Sequence, residues 1–168
     1  NGLKHSFLDE ECFEKIIDHY DGKEEFAQAL EATELGIEQY PYSSVLLIRK
    51  ADLLIATRKY GDALQILERA ALLDSGDINL YILKTDAYLA LDQQEKAVVL
   101  LQEALGLFEG QERIELLFGL ADVYDDYEEF DKIFDCLRWI LEQDYDNEEA
   151  LYKICFWTDF TGRNEESI

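Results

Sequence analysis

Apolar residues recur three and four positions apart along most of the chain, in segments that are separated by short polar breaks. The first segment is residues 9–20, and its apolar positions are Cys12, Phe13, Ile16, Ile17 and Tyr20. This spacing is typical of an amphipathic α-helix with one apolar face. A second segment, residues 26–40, stops before Pro41, which disfavours helix in the residue that precedes it. Together the two segments predict a helical hairpin.

Residues 44–77 repeat the plan of this hairpin, and the pattern continues to the end of the chain. We predict helices over residues 9–20, 26–40, 45–57, 62–73, 78–91, 92–108, 112–124, 128–142 and 146–160. The small-plus-apolar pairs Ala29-Leu30, Ala63-Leu64 and Ala97-Val98 open successive second helices 34 residues apart, and Ile133-Phe134 follows after 36. A nearly constant period of this length in helical hairpins indicates a repeat protein.

Polar residues at the breaks predict where individual helices begin. Asp77 is a predicted N-cap, because its carboxylate can accept a bond from the free N–H groups of the helix that follows. We expect one capping box from Asp92 to Glu95 and a similar cap in residues 146–149. A turn is predicted at residues 161–163, and the chain ends where the second helix of a fifth pair should begin. Residues 1–8 lack a clear period and are assigned to a leader.

The pattern resembles the tetratricopeptide repeat (TPR) family, whose helix pairs carry large residues at positions 4, 7 and 11, small ones at 8, 20 and 27, and often proline at 32. Position 4 is occupied by Phe13, Leu47, Tyr81, Leu117 and Leu151, and position 20 by Ala29, Ala63, Ala97 and Ile133. The chain departs from the pattern with lysine at position 7 (Lys50, Lys84) and with Ile17, Thr85 and Cys155 at position 8.

The resemblance, to a fragment of a bacterial-type TPR array, implies an all-α fold: a right-handed superhelical solenoid of antiparallel helix pairs. It implies one array, with units at about 10–43, 44–77, 78–111 and 114–147 and a truncated fifth unit from residue 148. Small residues let the helices approach and large ones fill the grooves between neighbouring hairpins. The resemblance further implies a non-catalytic scaffold that binds a peptide or a helix of another protein in its concave groove.

Four aspartates share repeat position 9, which lies on the concave face in this family. They are Asp18, Asp52, Asp86 and Asp122. Position 5 adds apolar neighbours: Ile48, Ile82, Phe118 and Tyr152. We expect a groove that pairs Lys or Arg side chains of a partner with the aspartates. The alternative is that the aspartates serve the scaffold itself, with Lys50 and Lys84 neutralising them.

The best-known ligand mode of the family is a clamp of cations and asparagine for a C-terminal carboxylate. The five clamp positions fall on Glu14, Asp18, Arg49, Asn79 and Leu83. Arg49 and Asn79 are therefore included among the groove candidates. Because Arg49 is the only cation of the five and two positions are acidic, the electrostatics argue against this clamp.

The charge of the whole chain narrows the class of partner. The sequence has 38 acidic against 15 basic residues and a formal charge of −23. Such a surface repels phosphate backbones and anionic lipids, so we expect neither nucleic acid nor membrane as a partner. Cys12, Cys136 and Cys155 form no CxxC pair, and we expect them to be buried and reduced in a cytoplasmic protein. The absence of methionine indicates an excised fragment.

The sequence contains no pattern that indicates catalysis. No phosphate-binding glycine motif, GxSxG elbow or HExxH is present, and His5 and His19 lie far apart. We therefore expect no enzyme activity, no cofactor and no metal.

Aromatic residues concentrate near the C-terminus, at Phe156, Trp157 and Phe160. We assign these three residues to an interface, because exposed apolar patches of this kind seldom stay uncovered. Either the parent protein continues and covers them, or they form a homodimer contact. The alternative to groove binding is thus a structural segment of a longer array that associates with itself or with neighbouring domains.

Overall fold

The computed structural model describes residues 7–162. Within that range the chain forms nine α-helices and no strand, which confirms the all-α prediction. The helices are α1 (Glu10–Asp21), α2 (Phe26–Gln39), α3 (Ser44–Ala56), α4 (Tyr60–Leu73), α5 (Ile78–Ala90), α6 (Gln94–Ala104), α7 (Gly110–Asp126), α8 (Phe130–Gln143) and α9 (Glu148–Thr161). Most of the predicted leader, Arg163 of the predicted turn and the start of a tenth helix lie outside the described residues.

The chain divides into two compact units, residues 1–91 and residues 92–168. In the first unit α1 packs against α2 and α3 against α4, while α2 contacts α3, α4 contacts α5 and α3 contacts α5. In the second unit α6 packs against α7, α7 against α8 and α8 against α9. Each unit is therefore built from helical hairpins stacked side by side.

Small residues bring the helices of the first unit close together. Ala29, Ala63 and Ala70 are completely buried, at 0% exposure each. A Cβ atom added at Gly36 would lie 3.1 Å from Phe13 Cγ and 3.1 Å from Leu46 Cδ1. A larger side chain at one of these alanines, or any side chain at Gly36, would thus push the helices apart. The close approach at small residues is what the repeat pattern predicts.

Four first helices begin with a side-chain cap. Asp9, Ser43, Asp77 and Asn147 each accept a hydrogen bond from a backbone N–H of the next helix, at 2.8, 3.2, 2.9 and 3.0 Å respectively. These bonds satisfy donors that a helix start otherwise leaves unpaired. The predicted cap at Asp77 is confirmed, and Asn147 confirms a cap in residues 146–149.

The turn within each hairpin contains a non-glycine residue in the left-handed region. These residues are Glu24, Arg58, Asp92 and Glu128, with φ of 57°, 61°, 55° and 57°. In three of the turns the next N–H donates to a carbonyl five residues back, as Glu25 N does to Tyr20 O at 2.9 Å. The predicted box from Asp92 to Glu95 is wrong, because a left-handed Asp92 ends α5 instead of capping α6. Gln93 is the N-cap of α6, but its side chain accepts from Lys96 Nζ at 2.9 Å and does not cap the helix.

The segment between α6 and α7 differs from its prediction. Helix α6 ends at Ala104 and not at residue 108, and α7 begins at Gly110, whose φ is 60°. Leu105 and Phe108 are buried in the connection, at 8% and 6% exposure. Arg113 Nη1 donates to Leu105 O at 2.6 Å, which satisfies a carbonyl just past the end of α6. The two extra residues of this repeat therefore shape the connection and lengthen the start of α7.

The three cysteines occupy different environments, so the prediction that all are buried is wrong. Cys136 is buried, Cys12 is partly buried and Cys155 is exposed. Burial raises the pKa of the Cys136 thiol to about 12, because the charged thiolate is poorly solvated there. Cys155 is exposed because no helix covers that side of α9 within residues 7–162.

Candidate functional site

The position-9 aspartates lie on first helices, each directly after a buried residue. Ile17, Ala51, Thr85 and Ala121 are buried, at 0%, 0%, 6% and 3% exposure, and are followed by Asp18, Asp52, Asp86 and Asp122. Because successive helix residues are about 100° apart around the axis, the buried residue orients each aspartate at the border of the packed face. Three of the aspartates belong to the first unit, and Asp122 belongs to the second.

In the first unit, Asp18 forms an ion pair. Arg49 of α3 donates from Nη2 to Asp18 Oδ1 of α1. The Arg49 side chain is 27% exposed and that of Asp18 is 64% exposed. Asp18 therefore already has a cation from its own scaffold.

In the second unit, Asp122 is also paired. Lys153 Nζ of α9 lies 3.2 Å from Asp122 Oδ1 and 3.8 Å from Glu149 Oε1. The same ammonium lies 5.6 Å from the centroid of the Phe118 ring, within cation–π range. Lys153 is thus held by two carboxylates and one aromatic face.

Asp52 and Asp86 have no such partner: within residues 7–162, neither forms an ion pair. Partial burial raises the pKa of Asp52, the charge of Asp21 raises it further, and Arg49 opposes both. Partial burial also raises the pKa of Asp86, and the charge of Asp52 adds to the effect. The charge of Asp52 therefore acts on Asp86 within the first unit, and neither carboxylate has a cation of the described residues in direct contact.

The position-5 residues differ in how much surface they offer. Tyr152 is 72% exposed, and Ile82 and Phe118 are partly buried. Ile48 is only 6% exposed and belongs to the core cluster that contains Leu47 and Leu80. The prediction of Ile48 as a groove contact is wrong, because α3 buries this residue against α5.

Sequence reasoning missed the cations that neutralise Asp18 and Asp122. Arg49 and Lys153 each follow their aspartate by 31 residues, at repeat position 6 of the next first helix. The residue 31 positions after Asp52 is Leu83, which cannot supply a charge. Lys50, which was expected to neutralise an aspartate, instead lies 3.5 Å from Glu34 Oε1. A basic residue 31 positions after an aspartate is the sequence pattern that could have predicted these two ion pairs.

Comparison with known proteins identifies the fold. No protein-family model and no curated protein sequence matches the chain. Among solved structures, the thermophilic TPR protein TTC0263 of Thermus thermophilus matches with a TM-score of 0.73 and 18% identity, over 90% of this chain and 82% of that one. The chain has the tetratricopeptide repeat fold.

Two further TPR structures are similar and carry information on ligands. YrrB, described as a TPR protein with an unusual peptide-binding site, has a TM-score of 0.64 and 17% identity, with 95% of this chain and 81% of that chain covered. The first TPR of Spaghetti (RPAP3), bound to the HSP90 peptide SRMEEVD, has a TM-score of 0.62 and 18% identity, with 76% of this chain and 99% of that chain covered.

The TPR clamp positions are occupied by groups that are already engaged. Arg49 is bound to Asp18, and Asn79 Nδ2 donates to Asp77 Oδ1 at 2.9 Å. The same Asp77 oxygen also caps α5. These two side chains are therefore engaged within the TPR unit itself.

Across residues 7–162, no group of three His, Cys, Asp or Glu side chains is arranged to hold a metal ion. None of the helices in that range combines the length and apolarity that crossing a bilayer requires.

The aromatic residues predicted as an interface lie together at the end of the second TPR unit. Trp157 is partly buried against Phe130 of α8, with ring centroids 5.5 Å apart. Phe156 and Phe160 are stacked, with centroids 6.2 Å apart, and are 50% and 65% exposed. Phe156 occupies repeat position 9, where the other first helices have aspartate. The face of the second unit near α9 is therefore aromatic.

Proposed function

We propose that this protein is a non-catalytic interaction scaffold whose first unit binds a basic peptide or helix of another protein at Asp52 and Asp86. The observation that carries the proposal is the contrast among the aspartates of one repeat position. Asp18 forms an ion pair with Arg49, whereas neither Asp52 nor Asp86 forms an ion pair within residues 7–162, and the pKa of each is raised. A Lys or Arg side chain of a partner would supply the missing charge, and its aliphatic stem would pack on the partly buried Ile82.

The strength of these ion pairs limits how much the two aspartates can contribute to the binding affinity. Exposed ion pairs contribute about 0.2–1 kcal/mol each, and partial desolvation increases that value. Two pairs therefore change an affinity by roughly tenfold, while apolar contacts supply the rest. The acidic surface also accelerates encounter with a basic partner and disfavours an acidic one.

The similar structures support a polypeptide ligand but suggest a different charge for it. YrrB is described with a peptide-binding site, and the Spaghetti TPR is bound to SRMEEVD, a peptide with three acidic residues. A protein with a formal charge of −23 would repel an acidic peptide. We therefore propose that the ligand of this chain is basic.

The test is binding of a fluorescently labelled Lys/Arg-rich peptide, followed by anisotropy at about 0.05 M salt. We expect Asp52→Asn/Asp86→Asn to bind about tenfold more weakly than the unaltered chain. Asp18→Asn/Asp122→Asn is the matched control, because it removes the same net charge from aspartates that already have cations. We expect it to change the affinity by less than about twofold. Equal losses in both variants would show that only net charge matters and would reject the site.

A second candidate is a structural segment that associates with itself or with a neighbouring domain. The exposed rings of Phe156 and Phe160 favour this alternative. Sedimentation velocity over a wide range of protein concentration tests it. A monomer at every concentration would reject self-association through these residues.

A further inference from the structure

The outward face of α9 has the composition of a helix-packing face but has no helix on it within the described residues. Leu151 at repeat position 4 is 44% exposed, whereas Phe13, Leu47 and Leu117 at the same position are 3%, 1% and 0% exposed. Cys155 at position 8 is exposed, whereas Ile17 and Ala51 are buried. We define the α9 outer face as the five residues Leu151, Tyr152, Cys155, Phe156 and Phe160. They lie one and two helical turns apart and form one continuous apolar strip.

The first unit shows what covers this type of face. Phe13 and Ile17 of α1 lie in one core cluster with Ala29 of α2 and with Leu46 and Leu53 of α3. Leu47 and Ala51 of α3 cluster with Leu80 of α5. The covering elements are thus helices. On α3, Leu46 and Leu53 are seven residues apart and therefore lie on the same side of that helix. A helix with apolar residues at this spacing would also fit the α9 outer face.

Charge decides which helix is suitable. Glu148, Glu149 and Asp159 are exposed on α9 around the apolar strip. A second copy of this chain would bring another formal charge of −23 to that surface. A helix with Lys and Arg beside its apolar positions would instead pair with Glu148 and Asp159, since Glu149 already lies 3.8 Å from Lys153 Nζ, and its cations could stack on exposed aromatic rings.

We propose that the α9 outer face binds a basic amphipathic helix of another protein, with apolar residues at i and i+7 seated between Leu151 and Phe156. The rings of Phe156, Trp157 and Phe160 form the wall of the site, and Phe130 supports Trp157 from α8. The mode is helix-on-helix packing, in which the partner covers α9 as neighbouring helices cover α1 in the first unit. This site belongs to the second unit and does not depend on Asp52 or Asp86.

The test uses the full chain and a designed 14-residue peptide with leucines at i, i+3, i+4 and i+7 and Lys or Arg at the other positions. Its control is a scrambled peptide of identical composition, which keeps the charge and lacks the apolar face. We expect the designed peptide to bind at least about tenfold more tightly, by isothermal titration calorimetry, with a negative heat-capacity change from apolar burial.

Two double variants locate the site. We expect Leu151→Ala/Phe156→Ala to weaken binding about tenfold, as truncation of central contacts does. Leu72→Ala/Tyr145→Ala removes a similar pair of side chains, 88% and 82% exposed, from elsewhere on the surface and should change binding by less than about twofold. Circular dichroism should show equal helix content in both variants.

Tryptophan fluorescence gives a local readout. Trp139 and Trp157 are the only two tryptophans, so Trp139→Phe leaves Trp157, whose ring lies 5.1 Å from that of Phe156, as the single reporter. We expect its emission to shift to the blue when the peptide covers the strip.

Three outcomes would overturn the proposal. The first is equal binding of designed and scrambled peptides, and the second is no binding of either to a Kd of about 1 mM. The third is concentration-dependent self-association that Leu151→Ala/Phe156→Ala abolishes, which would assign the face to a second copy. Asp52→Asn/Asp86→Asn should weaken the designed and the scrambled peptide alike and leave the ratio of their affinities within about twofold, which separates this result from failure of the basic-peptide site in the first unit.

Discussion

Asp18 and Asp86 occupy the same repeat position in the same unit, yet their surroundings give them opposite effects on stability. Arg49 lies beside Asp18 and pairs with its carboxylate. Asp86 is partly desolvated and close enough to Asp52 to feel its charge, so the folded state favours its protonated form. At the residue scale, the neighbour 31 positions away therefore decides the role of an aspartate.

We expect Asp86→Asn to stabilise the protein at neutral pH. A raised folded-state pKa means that the folded chain binds more protons than the unfolded chain above the ordinary aspartate pKa of about 3.9. The free energy of unfolding of the unaltered protein therefore falls as the pH rises through the folded-state pKa of Asp86. The amide of Asp86→Asn does not titrate, so the variant lacks this loss. Urea unfolding should show a gain of up to about 0.5 kcal/mol at pH 7, which shrinks as the pH approaches 4.

Asp18→Asn is the control for this prediction, since it removes the same group where a cation compensates it. We expect a loss of about 0.2–1 kcal/mol at pH 7. A gain in both variants would mean that general charge reduction, and not the local environment of Asp86, produces the effect.

At the element scale, the hairpin turns store strain that glycine would relieve. Arg58 has a φ of 61°, which costs a side chain with a Cβ atom roughly 1–2 kcal/mol. Glycine has no such penalty but loses more backbone entropy on folding. We expect Arg58→Gly to raise the free energy of unfolding by about 0.5–1 kcal/mol in thermal or urea denaturation.

Lys59→Gly is the matched control for that turn. Lys59 is the next residue, is also exposed and basic, and has a φ of −95°, where glycine offers no advantage. We expect the control to lower stability by about 0.5–1 kcal/mol. If both variants gave the same sign, backbone strain at Arg58 would not be the cause.

The start of α9 depends on one amide side chain. Asn147 Oδ1 accepts from Ala150 N at 3.0 Å, and Nδ2 donates to Asp144 Oδ2 at 2.9 Å. We expect Asn147→Ala to cost about 1 kcal/mol, measured by urea unfolding, because the first turn of α9 loses its cap. Asn147→Asp should restore most of this loss, because its carboxylate can still accept the bond from the helix. Equal losses in the two variants would contradict a capping role.

At the scale of the whole molecule, a formal charge of −23 opposes the folded state and favours a basic ligand. Salt shortens the screening length from about 30 Å at 0.01 M to about 8 Å at 0.15 M. Over this range we expect the melting temperature to rise, because like charges repel less. We expect binding of the Lys/Arg-rich peptide to weaken over the same range. Opposite responses in the two measurements are the expected result.

Choline chloride in place of sodium chloride is the control for the salt experiment. A similar rise in melting temperature with both salts would indicate screening, whereas a rise with sodium alone would indicate a specific cation site and contradict the screening explanation.

The amino-acid sequence by itself determined the all-helical hairpin repeat, the small positions such as Ala29 and Ala63, and the cap at Asp77. These features follow from local spacing, since amphipathic helices and their caps depend on residues a few positions apart. The period of 34 residues is enough by itself to predict the fold.

Only the tertiary structure decided which aspartates have a cation beside them, that Ile48 is buried, that Asp92 adopts a left-handed conformation and that no helix in residues 7–162 covers the α9 outer face. Each of these depends on what a neighbouring helix brings within a few ångströms of a side chain, and the same residue type gives different results in different repeats. Repeat position places Asp18 and Asp86 alike, but only the packed neighbours distinguish an aspartate that has a scaffold cation from one that has none in the described part of the chain.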